Sequence, residues 1–242
     1  MNSEQIIQQA TNASDLGQNA VRLNELISTK KNSVFVDIGV RSGMSSGIMG
    51  INSKENGNKV YGVDVSWENL DHGMISEADY YQLTGDSSTI GKYAELEDLN
   101  GISVLFIDSL HVKQQVLCEL FYWVPRMKKG ATVVFHDSHW AVGQNAVING
   151  RSWERVDEAI CEFFGLDTLE DYEDDNIKVE CYPESYGMTF VTLKKFNKSI
   201  KRPTSVDWKS TFSDRNVLIS QYWNEGNVGD RKIELEMSYE TN

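Results

Sequence analysis

Apolar positions along the chain fall into short blocks that switch between two spacings. Residues 3–29 carry Leu16, Ala20, Leu23, Leu26 and Ile27 near the helical repeat and predict a helix. Ser33–Val40 (SVFVDIGV) is rich in β-branched apolar residues, broken by Asp37 and Gly39, and predicts the first strand. It ends in RSGMSSG, after which Ile48, Met49 and Ile51 resume an apolar pattern: strand, tight Gly/Ser loop, helix. Lys59–Val65 (KVYGVDV), Tyr80–Thr84 (YYQLT) and Ser103–Ile107 (SVLFI) predict three more strands. Gln114–Met127 predicts a helix with Val116, Leu117, Leu120, Phe121 and Val124 on one face, stopped by Lys128-Lys129-Gly130. Ala131–Phe135 (ATVVF) predicts a fifth strand and Ser152–Phe164 another helix. Asp167–Asp175 is dominated by acids and reads as a solvated loop. Lys178–Cys181 and Gly187–Lys194 predict an antiparallel pair at a sheet edge.

Strand, polar loop and helix recur in that order, which predicts an α/β fold. The expected architecture is a doubly wound, mostly parallel seven-stranded sheet with an antiparallel edge hairpin and helices on both faces. Residues 1–195 then form one domain. Residues 196–242, with Arg202-Pro203, Trp208 and Trp223, read as an appendage for oligomerisation or for covering the site as a lid.

Composition narrows the function classes. With 242 residues the chain has room for one to two domains. A formal net charge of −13 disfavours a nucleic-acid binder and a polybasic membrane attachment, since both need clustered Lys and Arg. No apolar run approaches a membrane span, and the polar N-terminus lacks the apolar stretch of a signal peptide. Cys118, Cys161 and Cys181 lack the spacing of a disulfide framework or zinc site; Cys118 and Cys161 fall in apolar helical patterns and read as core. The expectation is a reducing, cytoplasmic compartment.

The chemistry-bearing residues stand at strand ends, where open α/β sheets bind ligands. After the first strand comes Asp37-Ile38-Gly39-Val40-Arg41-Ser42-Gly43, which is GxxxG and not the GxGxxG of dinucleotide sites. Asp37 would repel a pyrophosphate but suit an ammonium group, as in the amino-acid portion of a ligand. Asp64 ends the second strand, where a carboxylate accepts from ribose hydroxyls. Gly85-Asp86-Ser87 ends the third and is placed to meet an adenine, or to cap a helix, or both. Asp108, with His111 three residues on, follows the fourth strand, and His136-Asp137-Ser138-His139 follows the fifth. As neighbouring strand ends, Asp108 and Asp137 would reach one hard divalent cation such as magnesium, with His136, Ser138 or His139 as a third ligand. The alternative is that both acids cap nearby backbone amides.

Together VFVDIGVRSGMSSG, VYGVDVS, TGDSS, VLFIDSLHVKQQVLCELFYWVPRMKKGATVVFHDS and GMTFVTLKK resemble class I S-adenosylmethionine-dependent methyltransferases. The nearest subgroup is the small-molecule O-methyltransferases like macrocin O-methyltransferase and the cephalosporin-hydroxylase-like proteins. The resemblance spans roughly residues 15–195 and is most specific from FID..H through KKG to HD. It implies a Rossmann-like fold and methyl transfer to a hydroxyl of a small molecule such as a sugar or secondary metabolite. It implies that Asp37, Gly39 and Gly43 line the methionine part of the cofactor, Asp64 holds its ribose, and Asp86 and Ser87 border its adenine. Ser45 and Asp108 are counted with the cofactor residues. Asp108 and Asp137 match metal-binding acids of the magnesium-dependent members. His136 and Ser138 stand where some members carry a further acid or amide. Asp108, His111 and His139 are the candidate catalytic residues, either histidine serving as base, and the protein is expected to be a homo-oligomer. Two other readings remain: a nicotinamide-dependent oxidoreductase on the same layered fold, and a non-catalytic protein that binds a nucleotide-like ligand.

Overall fold

The computed structural model of the 242-residue chain describes residues 1–90, 99–139, 147–148, 151–152 and 155–195. The appendage predicted from residue 196 on lies outside the described residues.

Two helices, α1 (Ser3–Asn12) and α2 (Asn19–Ser28), replace the single one expected over residues 3–29. Gly17, left-handed at φ 52°, sits in the turn that separates them. The next elements are β1 (Val34–Ile38), α3 (Met44–Gly50), α4 (Ser53–Asn56), β2 (Lys59–Asp64), α5 (His72–Ile75), β3 (Tyr80–Thr84), α6 (Ser87–Ile90) and β4 (Ile102–Ile107). They are followed by α7 (Lys113–Trp123), β5 (Met127–His136), the short ribbon β6 (Val147–Ile148) and β7 (Arg151–Ser152), then α8 (Val156–Phe164). The chain closes with β8 (Tyr172–Glu173), β9 (Ile177–Tyr182) and β10 (Met188–Leu193).

The main sheet has eight strands in the order β3-β2-β1-β4-β5-β10-β9-β8. β1 to β5 run parallel, and β10, β9 and β8 follow beside β5, each antiparallel to the strand before it in that order. The strand beyond the expected seven is β8, two residues paired with β9 inside the acid-rich stretch that reads as loop. Two boundaries also move. Pro125, in a 3₁₀ turn over Val124–Arg126, ends α7, because proline cannot donate to the helical ladder. Lys128-Lys129-Gly130 therefore do not stop the helix; they lie in β5, where its register with β4 shifts between the pairs Ile102–Met127 and Val104–Thr132.

The central strands are buried on both faces, as a doubly wound sheet requires. Phe35, Ile38, Leu105, Phe106 and Phe135 are fully covered, with Leu23, Ile48 and Leu117 packed from the helices. Cys118 is in this core as expected, whereas Cys161 is only half-buried.

Candidate active site

The chain winds from β1 to β2 and β3 on one side, then returns to place β4 on the other side of β1. That reversal puts a topological switch point at the carboxyl ends of β1 and β4, the place where such sheets bind ligands.

Asp37, near the end of β1, is fully buried. Its Oδ2 accepts from Ser45 Oγ at 2.8 Å and from the Ser46 hydroxyl. Its Oδ1 is buried with no partner among the described residues. Burial pushes this carboxyl up to about 7, against the pull of the two hydroxyls. Two residues on, Gly39 is left-handed at φ 86°, and a Cβ there would lie 2.1 Å from the carbonyl oxygen of Asp108. The ends of β1 and β4 thus touch through a position only glycine can fill. Gly43, at φ 83°, begins α3. Asp64, at the end of β2, accepts from the Arg41 N–H at 2.9 Å and the Ser66 N–H at 3.1 Å, fastening the loop after β1 to the loop after β2.

After β3, Asp86 caps α6: its Oδ1 accepts from the Ser88 N–H at 3.0 Å and the Ser88 hydroxyl at 2.9 Å. The Ser87 hydroxyl donates to Glu119 of α7. The loops after β4 and β5 bring Asp108, His111 and Asp137 together. His111 Nε2 is 3.2 Å from Asp108 Oδ1 and 3.0 Å from Asp137 Oδ2. Asp137 is left-handed at φ 53°, a strained backbone for a non-glycine residue and one that accumulates at functional sites. His136 lies beneath, with Nδ1 3.3 Å from oxygens of both acids and Nε2 3.2 Å from the Asp15 carbonyl.

Both His136 nitrogens therefore face acceptors, which makes the ring a doubly protonated cation. The carboxylates outweigh its burial and raise it to about 11, and they raise His111 to about 10. In return the two imidazoles hold Asp137 well below the usual carboxylate range despite its burial.

One oxygen each from Asp108 and Asp137 and one His111 nitrogen lie within 4.8 Å of one another, a spacing at which a single metal ion is held. The histidine of this group is His111, predicted as a base. His136 faces acceptors on both sides and is not in the group, and the Ser138 hydroxyl is taken up by His139 Nδ1 at 3.0 Å and Thr189 Oγ1 at 2.9 Å. His139 is half-buried, and that burial pulls its ring below the ordinary histidine value.

Two participants escape a reading of motifs. The Asp15 carbonyl on His136 comes from a turn with no motif of its own. Glu119 is a lone acid in an apolar helix; the signal available for it is the polar row Gln115, Glu119 and Trp123 at four-residue steps.

A family model described as Methyltransferase domain matches residues 36–138, from β1 to just past Asp137. Those residues resemble a methyltransferase domain. Every residue of the site described above lies in this matched stretch except Asp15, His139 and Thr189. No curated protein matches the sequence. Among solved structures, an O-methyltransferase from Bacillus cereus in complex with SAH is similar at 18% identity and TM-score 0.54, over 79% of this chain and 90% of that one. The O-methyltransferase TomG from Streptomyces achromogenes, involved in tomaymycin synthesis and in complex with SAM, is similar at 13% identity and TM-score 0.53, over 74% of this chain and 81% of that one. At these identities the likeness shows a shared fold, and the doubly wound sheet described above is the one expected from the sequence. No helix among the described residues is long and apolar enough to cross a membrane.

Proposed function

We propose that the protein transfers the methyl group of S-adenosylmethionine to a hydroxyl of a small molecule. The observation that carries this reading is one juxtaposition inside the matched stretch. The unpartnered, buried Oδ1 of Asp37 and the Asp108–His111–Asp137 group stand at the same switch point, joined through Gly39. A buried acceptor without a donor is costly, and a ligand ammonium group would relieve that cost. The solved O-methyltransferases of like fold bind SAM or SAH by their descriptions, which supports the same ligand here.

S-adenosylmethionine supplies a methyl group on a sulfonium, ready for a single in-line displacement. The chain's own task is to hold and align the two reactants at that switch point. Asp37 receives the ammonium group, Asp64 the ribose, and the loop at Asp86 borders the adenine. Asp108, His111 and Asp137 are the residues that would hold a divalent cation, with two hard carboxylate oxygens and one imidazole; such an ion acidifies and orients a hydroxyl. His139 takes the proton of the acceptor, because its ring, unlike that of His111, does not lie between the two carboxylates. The acidic balance of the chain favours a small acceptor over nucleic acid. The three free cysteines fit a cytoplasmic setting, and the aromatics of residues 196–242 fit a homo-oligomer.

The test is thermal unfolding with S-adenosylhomocysteine beside NAD(H), followed by labelled methyl transfer to a panel of hydroxylated metabolites. Stabilisation by S-adenosylhomocysteine alone is expected, about 2.7 kcal/mol at a hundredfold excess over Kd. Stabilisation by NAD(H) alone overturns the reading in favour of an oxidoreductase. Cofactor binding with no transfer to any acceptor favours a non-catalytic binding protein.

A further inference from the structure

Three side chains one turn apart on α7 reach out of the helix toward two different loops. Glu119 is at the centre. Its Oε1 accepts from the Ser87 hydroxyl, from Ser109 Oγ at 2.6 Å and from Gln115 Nε2 at 2.8 Å. Gln115 Nε2 also donates to Ser87 Oγ at 3.0 Å, and Trp123 Nε1 donates to the Ser87 carbonyl at 2.7 Å. Ser87 follows Asp86 in the loop after β3, and Ser109 follows Asp108 in the loop after β4. One carboxyl oxygen therefore joins the loop proposed to border the adenine to the loop that carries the first acid of the Asp108–His111–Asp137 group.

A role in stability alone explains this poorly. Glu119 is fully buried, and its Oε2, like Oε1 of Gln115, has no partner among the described residues. A leucine would fill the same interior without that cost. What leucine lacks is the aim: one donor from each of two loops and a third from α7 itself converge on one atom.

We infer that Glu119 is a positioning residue that holds the loops after β3 and β4 in one register, and so sets the affinity for the cofactor between them. The inference rests on the methyl-transfer reading above.

The experiment is calorimetric titration of the full-length protein with S-adenosylhomocysteine. Glu119→Leu is expected to weaken binding about tenfold. Glu119→Gln keeps an acceptor oxygen in place and should stay within about threefold of wild type. Leu120→Ala, a fully buried α7 position that supplies none of these hydrogen bonds, should lower Tm and leave Kd unchanged. Ser109→Ala removes one strut without altering α7 and is expected to cost about threefold, which keeps the test open should Glu119→Leu not fold. Wild-type affinity in Glu119→Leu or Ser109→Ala overturns the inference alone, as does equal weakening in Leu120→Ala. A wild-type protein that does not bind S-adenosylhomocysteine overturns the functional reading and this inference with it.

Discussion

Asp37 carries a carboxyl into an interior where, among the described residues, two serine hydroxyls meet it. In the unfolded chain that carboxyl titrates near 3.9. In the folded chain burial moves it up to about 7. Between those values the folded state holds a proton that the unfolded state has lost. The stability tied to the group is therefore complete below about pH 4 and falls away as pH rises through about 7, by on the order of 4 kcal/mol. Without ligand, the wild-type Tm should drop between pH 5 and 8, and Asp37→Asn should flatten that drop. Parallel Tm–pH curves for the two proteins would show that another group titrates there. Asp37, Asp64, Asp108 and Asp137 were legible in the sequence because each closes an apolar run, and strand ends gather at one edge. Which histidine would join the acids was not legible. His111 and His136 both stand near them, and only the side-chain directions leave His136 between the acids and the Asp15 carbonyl. Glu119 was hidden for a different reason: a single acid at helical spacing reads as the solvated rim of a helix, and two of its three partners, Ser87 and Ser109, lie outside that helix.

At the scale of elements, the parallel core follows from patterns that span a whole strand. Continuous apolar runs stop at Gly or Asp and are separated by helical periods, so one short boundary error does not change the topology. Boundaries set by a single residue were less legible. Lys128-Lys129-Gly130 has the composition of a helix stop, yet Pro125 has already ended the helix, and the glycine serves a strand irregularity. Gly39 shows how much one position can decide. It combines φ 86° with a Cβ direction that meets the Asp108 carbonyl at 2.1 Å, so Gly39→Ala must push β1 and β4 apart at their carboxyl ends. Gly165, at the end of α8, has a similar φ of 72° but open space around it. Gly165→Ala should cost about 1 kcal/mol from backbone strain alone. Gly39→Ala should cost about 3 kcal/mol or more, because the clash adds to the strain. Urea unfolding midpoints compare the two directly, and equal losses would mean that the strand ends are free to separate.

For the described molecule as a whole, the matched domain ends at Ser138, and two segments outside it meet over the end of β5. The turn between α1 and α2 places the Asp15 carbonyl on His136, and α2 reaches the connection between β9 and β10. Asn19, fully buried, donates from Nδ2 to the Glu184 carbonyl at 2.8 Å and accepts from Arg22 Nη1 at 2.8 Å. Arg22 in turn lies 3.6 Å from the Glu184 carboxylate and stacks over the Tyr182 ring at 4.2 Å. No local pattern ties residue 19 to residue 184, which is why this clasp was invisible in a reading by periods and motifs. Asn19→Ala strands a carbonyl and removes two hydrogen bonds, and should cost about 2 kcal/mol. Arg22→Ala removes a half-exposed ion pair and a cation–π contact, and should cost about 1 kcal/mol. Because Arg22 bonds to Asn19, the two losses overlap. Denaturant unfolding of the double variant should therefore show a deficit smaller than the sum of the singles by about 0.5 kcal/mol or more. Strict additivity would mean that Asn19 and Arg22 hold the two outlying segments together independently, not as one clasp.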